Sequence, residues 1–525
     1  MLLIYNARLV DKNTDKKGAV LIKDAKISKI LSDAEAKEMM LSAKTKAKNK
    51  IEQLEATGSY SIIKMGDIEF MDAYGLTIMP SFIDMHAHFR DPGFTQKEDI
   101  ESGCRAAVAG GYGTVVLMPN TNPVISSQEQ AEVNNNKAKA LGLVDVIQSV
   151  SITKDFSGND VSHLVGLDSK IVPLITEDGK EVASSAVMYA GMKIAAKKKI
   201  IVSCHCEDPS FAQQARVYRN KALACLQQTA ELSQQMAQQV LQSKQTTALQ
   251  QMTAPQQTPA PQQNNAVSSA AISDLRKQAS SYFTEANHLL ALAEDVATVR
   301  NIYLAKDANC HIHLCHVSTA NCIDAIRSAK QSAKQSAKQS AKQADALQDK
   351  TMSLASQMVT CEITPHHLSL VGTKAPYLYD IVNPPLRSEE DRAALIRALA
   401  DGTADCISTD HAPHTAQDKA AGSPGFSGIE TAFAVCNTTL VKENNFSLKK
   451  LSALMSANAA EILGLKKRGL LQQGYDADIV IVDPQKEWTV HGASFASKGK
   501  FTPLEGKKIT GKVIKTFYKG KQVYS

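Results

Sequence analysis

Ile83-Asp84-Met85-His86-Ala87-His88-Phe89-Arg90 is an apolar run that closes on two imidazoles and a guanidinium at alternate positions. Successive side chains of a strand point to opposite faces, so His86, His88 and Arg90 share one face. Two imidazoles at this spacing can grip one metal ion from a stiff backbone, and a cation two residues further on can hold an anion beside it. A His-x-His pair alone is more often an ordinary polar strand face, so the rest of the chain has to decide.

Further apolar runs follow at residues 114–120, 144–153, 171–176, 200–206, 310–318, 359–367 and 405–411, the first being 77–89. Between them lie stretches with apolar residues at three- and four-residue spacing, among them 97–109, 182–197, 319–330 and 391–400. Strands alternating with helices in this way predict an α/β fold, a TIM-type (β/α)8 barrel of parallel strands over residues 80–465. Barrels of this kind place chemistry at the C-terminal ends of their strands.

The two ends of the chain differ from the middle. Residues 1–79 and 466–525 carry short strand-like runs such as 19–22, 477–482 and 512–518, and are expected to form one small composite β-sandwich beside the barrel. Three segments read as insertions: 37–60, rich in lysine and alanine; 227–278, dominated by Gln, Ala and Ser around a Pro-Gln middle; and a tandem Ser-Ala-Lys-Gln repeat at 328–343, within a low-complexity stretch running to 357. The first and third contain good helix formers and are expected as solvated helices, whereas the Pro-Gln middle near 255–263 is expected to be disordered.

Composition excludes several functions. The chain has 59 Lys and Arg against 53 Asp and Glu, a net charge of +6 with much of the lysine in the low-complexity segments, so nucleic acid is not an expected partner. The N-terminal run Met1-Leu-Leu-Ile-Tyr-Asn-Ala-Arg-Leu-Val10 alternates like a strand rather than a leader, and no apolar run approaches a bilayer span. A cytoplasmic, non-membrane protein is expected. The ten cysteines lack framework spacing, and Cys204, Cys206, Cys315 and Cys406 fall inside apolar strands, which fits reduced core thiols.

The remaining strand ends strengthen the metal reading. His205 ends the run 200–205, His316 ends 310–316, Asp178 follows 171–176, and Asp410 ends 406–410. Four histidines and two aspartates on five strand ends of one barrel predict a binuclear metal centre. His311 and His313 lie too early in their strand to reach the mouth, and Cys204 and Cys206 alternate away from His205. His366 and His367 are candidates to support the ligands. The glycines of Ala109-Gly-Gly-Tyr-Gly113 follow a helix and precede a strand, the wrong context for a phosphate loop, and read as a helix stop.

Taken together, Asp84-Met-His-Ala-His-Phe-Arg-Asp-Pro-Gly93, Lys97-Glu-Asp-Ile-Glu-Ser-Gly103, Met118-Pro-Asn-Thr-Asn-Pro123, Thr176-Glu-Asp-Gly179, His205-Cys-Glu207, His316-Val-Ser-Thr319, Thr364-Pro-His-His367, Asn383-Pro-Pro-Leu-Arg387 and Thr409-Asp-His-Ala-Pro-His414 resemble the dihydroorotases of the amidohydrolase superfamily. The likeness runs along nearly the whole chain outside the three insertions. It implies reversible, zinc-dependent cyclisation of N-carbamoyl-L-aspartate to L-dihydroorotate, a step of pyrimidine (UMP) synthesis. It also implies two zinc ions per subunit, one on His86, His88 and Asp410, the other on His205 and His316, with Asp178 as the bridging carboxylate. Many relatives use a carboxylated lysine there, which leaves Lys180 as an alternative bridge.

Asp410 is the implied catalytic base. Arg90 is the cation suited to the substrate carboxylate that does not react, and by family position Asn120, Asn383 and His414 complete the polar contacts. The glycine-rich segment 419–428 is expected to be a mobile cover whose backbone at Pro424 and Gly425 touches substrate. Two rivals carry distinguishing marks. A hydantoinase or allantoinase would have lysine in place of Asp178 and lack the Arg90 and Asn120 pairing; an inactive scaffold subunit for aspartate transcarbamoylase would have lost ligands, and all six are present. An active homo-oligomer that assembles with that transcarbamoylase is also expected.

Overall fold

The structure, a computed structural model, describes residues 1–46, 51–57, 60–253, 264–343, 358–372 and 381–525. Eight parallel staves form a barrel: β1 (Phe82–Ala87), β2 (Tyr112–Leu117), β3 (Asp145–Gln148, resuming at Val150–Ser151), β4 (Leu174–Thr176), β5 (Ile201–Cys204), β6 (Ile312–Leu314), β7 (Val359–Ile363) and β8 (Cys406–Ile407). Each pairs with the next, from Ile83 beside Thr114 to Glu362 beside Cys406. Ala87 bridges His411 to close the ring, and the His88 N–H donates to the His411 carbonyl at 2.8 Å. These staves are almost entirely buried, as parallel strands covered on both faces must be. The hydrogen-bonded parts are shorter than the apolar runs of the sequence, because the last residues of each run leave the ladder to form the mouth.

The helices start where the sequence supplies caps. Helix Ile100–Ala109 begins at Asp99, whose carboxylate accepts the Ser102 N–H, so the pattern that opens at 97 becomes helical three residues later. Helix Glu389–Asp401 has the same box from Ser388 and Asp391, and stops at Gly402 with φ 82°.

Both chain ends enter one mixed sheet. Strand Leu2–Val10 pairs with Asp15–Lys23 on one side and with Ile68–Asp72 and Thr77–Pro80 on the other; Thr77–Pro80 then pairs with Ile479–Thr489, which is followed by Lys508–Tyr518 and Lys521–Tyr524. Ile4, Leu9, Ile78, Ile479 and Phe517 are buried together on this sheet, and Leu3, Leu21 and Phe70 form a second layer under helix Asp33–Lys46. N- and C-terminal segments thus complete each other.

One insertion departs from expectation. Segment 37–60 is helical only to Lys46; Ile51–Thr57 is a strand paired with Tyr60–Met65, because that second strand already lies on Ile68–Asp72 and offers a free edge. The flanks of 227–278 belong to two helices of 45 residues, Pro209–Thr253 and Asn264–Ala308, packed as a hairpin whose strong helix formers outweigh the low complexity. The Pro-Gln middle near 255–263, expected to be disordered, lies outside the described residues. The repeat from 328 continues helix Ala320–Gln343 as expected. All ten cysteines are buried and free, and among the described residues no helix is long and apolar enough to cross a membrane.

Candidate metal centre at the barrel mouth

The six predicted ligands converge, with Asp178 at the centre. Its Oδ1 lies 3.2 Å from His86 Nε2, 3.5 Å from His205 Nδ1 and 3.9 Å from His316 Nε2, and its Oδ2 lies 3.6 Å from His88 Nε2. Asp410 Oδ1 is 3.1 Å from His88 Nε2 and 3.6 Å from His86 Nε2. His205 Nδ1 and His316 Nε2 face each other at 2.9 Å. Lys180, the alternative bridge, is exposed with its ammonium 5.6 Å from the centre of the Phe156 ring.

Local conformation aims these groups. Arg90, His316 and Asp410 hold φ of 59°, 33° and 47°, left-handed values that a non-glycine residue keeps only where its surroundings enforce them. Asp84, on the same face of β1 as His86 and His88, accepts the Thr409 N–H at 2.9 Å and the Thr409 hydroxyl, which fixes the backbone just before Asp410. Beside it, His411 Nε2 is 3.3 Å from Glu98 Oε2 while its Nδ1 accepts the Gly428 N–H at 3.2 Å.

The ring nitrogens turned away from the cluster are also engaged. His86 Nδ1 is 2.8 Å from Glu362 Oε1, and His88 Nδ1 is 3.0 Å from Asn120 Oδ1, while Asn120 Nδ2 donates to Asp178 Oδ2 at 3.0 Å. His205 Nε2 is 3.5 Å from Asn383 Nδ2 and 3.8 Å from Glu207 Oε2. Such outer contacts fix which nitrogen carries the proton and leave the other as a ligand.

Charge in this pocket calls for a cation. Burial works against ionisation of Asp178 and Asp410, yet the neighbouring histidines hold both well below the usual carboxylate range. Burial disfavours the His205 imidazolium too, but Asp178 and Glu207 push it up to about 10; His86 rises well above its ordinary value beside Asp178. Burial, then the charges of His205 and His86, brings His316 down to about 3. Two aspartates set among four buried imidazoles form a charge arrangement that a metal ion would balance. His86 Nε2 is fully buried with no hydrogen-bond partner, and the His86, His88, Asp410 and His86, Asp178, His316 sets each bring three donors close enough for one ion. This nitrogen and carboxylate donor set fits a divalent metal of the zinc type.

The substrate-side residues surround this cluster. Arg90 makes no ion pair among the described residues, and its buried Nε has no partner. His414 Nε2 is 2.9 Å from the Pro424 carbonyl, and Asn383 Nδ2 donates to Glu207. The amide of Asn120 spans His88 and Asp178.

The glycine-rich segment expected as a mobile cover is anchored at its start. Lys419 is fully buried and its ammonium donates to the carbonyls of Gly425 at 2.8 Å, Ser423 at 2.9 Å and Ile381 at 3.3 Å. Gly425 has φ 118°, and a Cβ there would lie 2.7 Å from that of Ala412. A buried ammonium needs those carbonyls as much as they hold it, so Lys419 ties the segment to Ile381 and lines the pocket wall up to Gly425.

Sequence reading missed Asp84, Glu98, Glu207 and Glu362. Asp84 and Glu362 carried a usable signal: a carboxylate inside a strand buried on both faces requires a buried partner.

The comparisons with known proteins agree with this geometry. The amidohydrolase family profile matches residues 77–523. The chain belongs to the amidohydrolase family. This amidohydrolase is 34% identical over 524 residues to a dihydroorotase of Clostridium botulinum (strain Eklund 17B / Type B), covering 100% of the chain and 99% of the relative. It is 34% identical over 484 residues to a dihydroorotase of Bacillus subtilis (strain 168), covering 90% and 91%. Among solved structures, an L-hydantoinase (dihydropyrimidinase) from Arthrobacter aurescens superposes with a TM-score of 0.70 at 19% identity, covering 100% of this chain and 96% of that one. A dihydropyrimidinase from Brevibacillus agri NCHU1002 gives 0.69 at 19%, covering 99% and 94%. At that identity the structural likeness speaks for the fold of this amidohydrolase, a barrel with an accompanying β-sandwich. Its family and its sequence relatives make it a cyclic amide hydrolase.

Proposed function

We propose that this amidohydrolase is a zinc-dependent dihydroorotase that interconverts N-carbamoyl-L-aspartate and L-dihydroorotate. The observation that carries the reading is a carboxylate, Asp178, within 4 Å of four imidazoles, with the uncommitted guanidinium of Arg90 on the same strand end. His86, His88 and Asp410 would hold one zinc, His205 and His316 the other, and Asp178 both. Bound zinc supplies Lewis-acid polarisation and a water acidic enough to ionise near neutral pH.

The chain's own residues do the rest. Arg90 pairs with the carboxylate that does not react, and its planar fork fixes the ring's orientation. His414, Asn383 and the wall at Pro424 and Gly425 complete the pocket. In hydrolysis Asp410 accepts the proton of the attacking water and passes it to the departing amide nitrogen; in cyclisation it takes the proton of the ureido N–H. Its carboxyl, held far below neutrality, is ionised and ready to accept in either direction.

An aspartate at the bridging position, together with Arg90 and Asn120, favours this substrate over hydantoins or allantoin. Ten reduced thiols support a cytoplasmic location. Purified protein assayed for dihydroorotate hydrolysis and carbamoylaspartate cyclisation, with metal counted by elemental analysis, should turn over both compounds, lose activity on chelation and regain it with zinc. Turnover of hydantoin alone, or full activity in metal-free protein, would overturn the reading. Copurification from a native extract tests assembly with itself or with aspartate transcarbamoylase.

A further inference from the structure

Glu362 is wholly buried in β7, on the far side of His86 from Asp178. Its Oε1 lies 2.8 Å from His86 Nδ1 and accepts the His316 backbone N–H at 3.3 Å. Its Oε2 lies 3.0 Å from His313 Nε2, and His313 Nδ1 is 2.9 Å from Thr360 Oγ1. His86 and His316 fall in different halves of the ligand set, and His316 is one of the residues held at positive φ. One carboxylate thus touches a ring of one half and the backbone of the other.

We propose that Glu362 is a positioning residue shared by both metal positions, orienting the His86 ring through its Nδ1–H and holding the His316 backbone, with His313 and Thr360 fixing the carboxylate from below. The inference rests on the dihydroorotase reading only for its two zinc positions. With the His316 N–H, the His313 ring and His86 Nδ1 all converging on its two oxygens, Glu362 serves as the acceptor for an Nδ1–H of His86, which leaves the Nε2 lone pair facing Asp178. The Nε2 of His86 has no hydrogen-bond partner, the state this arrangement requires. His88 provides the contrast: it belongs to the same half as His86, but its Nδ1 rests on Asn120, with no Glu362 contact.

Glu362→Gln tests the proposal. The amide keeps the shape but offers one acceptor where two N–H groups and a backbone N–H converge, so one ring must turn or shift its proton. Zinc affinity, measured by chelator competition with stoichiometry from elemental analysis, should fall roughly ten- to hundredfold at both positions. The melting temperature of the metal-free protein should stay close to wild type. His313→Gln should move affinity the same way by a smaller factor, and it serves as the test if Glu362→Gln does not fold. Wild-type affinity at either position, or a loss confined to one, would overturn the shared role. A wild type that binds two zinc ions but turns over only another cyclic amide would end the dihydroorotase reading alone; one that binds no zinc would overturn both.

Discussion

At the barrel mouth, His86 is wholly buried and each of its ring nitrogens faces a carboxylate, while on the outer part of helix Pro209–Thr253 Gln235 and Leu241 stand in water. The two regions are about equally helix- or strand-competent locally, but they differ in what each side chain must satisfy. A buried charge without a partner costs several kcal/mol, so the aspartates of the mouth lie among histidines, and buried atoms with no partner, such as His86 Nε2, Arg90 Nε and Asn383 Oδ1, call for a metal or a substrate. On the outer hairpin, helix propensity is the main demand, and Gln, Ala and Ser meet it in almost any order. Low complexity in the sequence marks where the structure asks little of individual residues.

The contrast predicts steep losses at the mouth. Asp410→Asn removes a proton acceptor and a metal ligand, and turnover should fall on the order of a thousandfold or more while the melting temperature changes little. Activity within tenfold of wild type in a steady-state assay would show that another group moves the proton. Arg90→Met comes next. It should raise KM by roughly ten- to hundredfold, more than it lowers kcat, because the lost charge-assisted hydrogen bonds hold the substrate rather than the reacting atoms. A drop in kcat at unchanged KM would reassign Arg90.

Much of this mouth could be read in advance, for a physical reason. Apolar strands that end in His, Asp or Arg announce both the stave and the direction of the mouth, so His86, His88, Asp178, His205, His316 and Asp410 were legible from alternation and strand ends. Glu362 was not assigned, because its partners His86 and His313 lie on other strands and only the closed barrel brings them together. Strand Ile51–Thr57 was hidden for a similar reason: its partner is an edge created by residues 60–72, and a lysine-rich flank masks it. The anchoring of the loop at 419–428 depended on one buried lysine whose carbonyl acceptors come from two separate segments.

The hairpin itself divides into a root and an outer part, and the smaller predictions separate them. Near the root, Ala222 and Cys225 pack against Ala279, Phe283 and Ile381, and Ile381 lies two residues before Asn383. Phe283→Ala should therefore cost about 3 kcal/mol of stability and raise KM a few-fold by loosening the segment that carries Asn383, as thermal melts and steady-state kinetics would read.

Further out the demand disappears, since none of the described side chains at 231–245 or 269–273 is buried. Removing all of 227–278 would also take Thr229, which is buried, and Leu275, which packs beside Phe283. The dispensable span is thus 231–273. Replacing it with a short Gly-Ser linker should leave kcat, KM and zinc content within about twofold of wild type, because the linker closes the hairpin above the last buried layer at little entropic cost. A tenfold loss in that variant, with Phe283 and its neighbours untouched, would mean that the outer hairpin bears on the mouth through contacts other than its root, and the contrast between the two regions would fail.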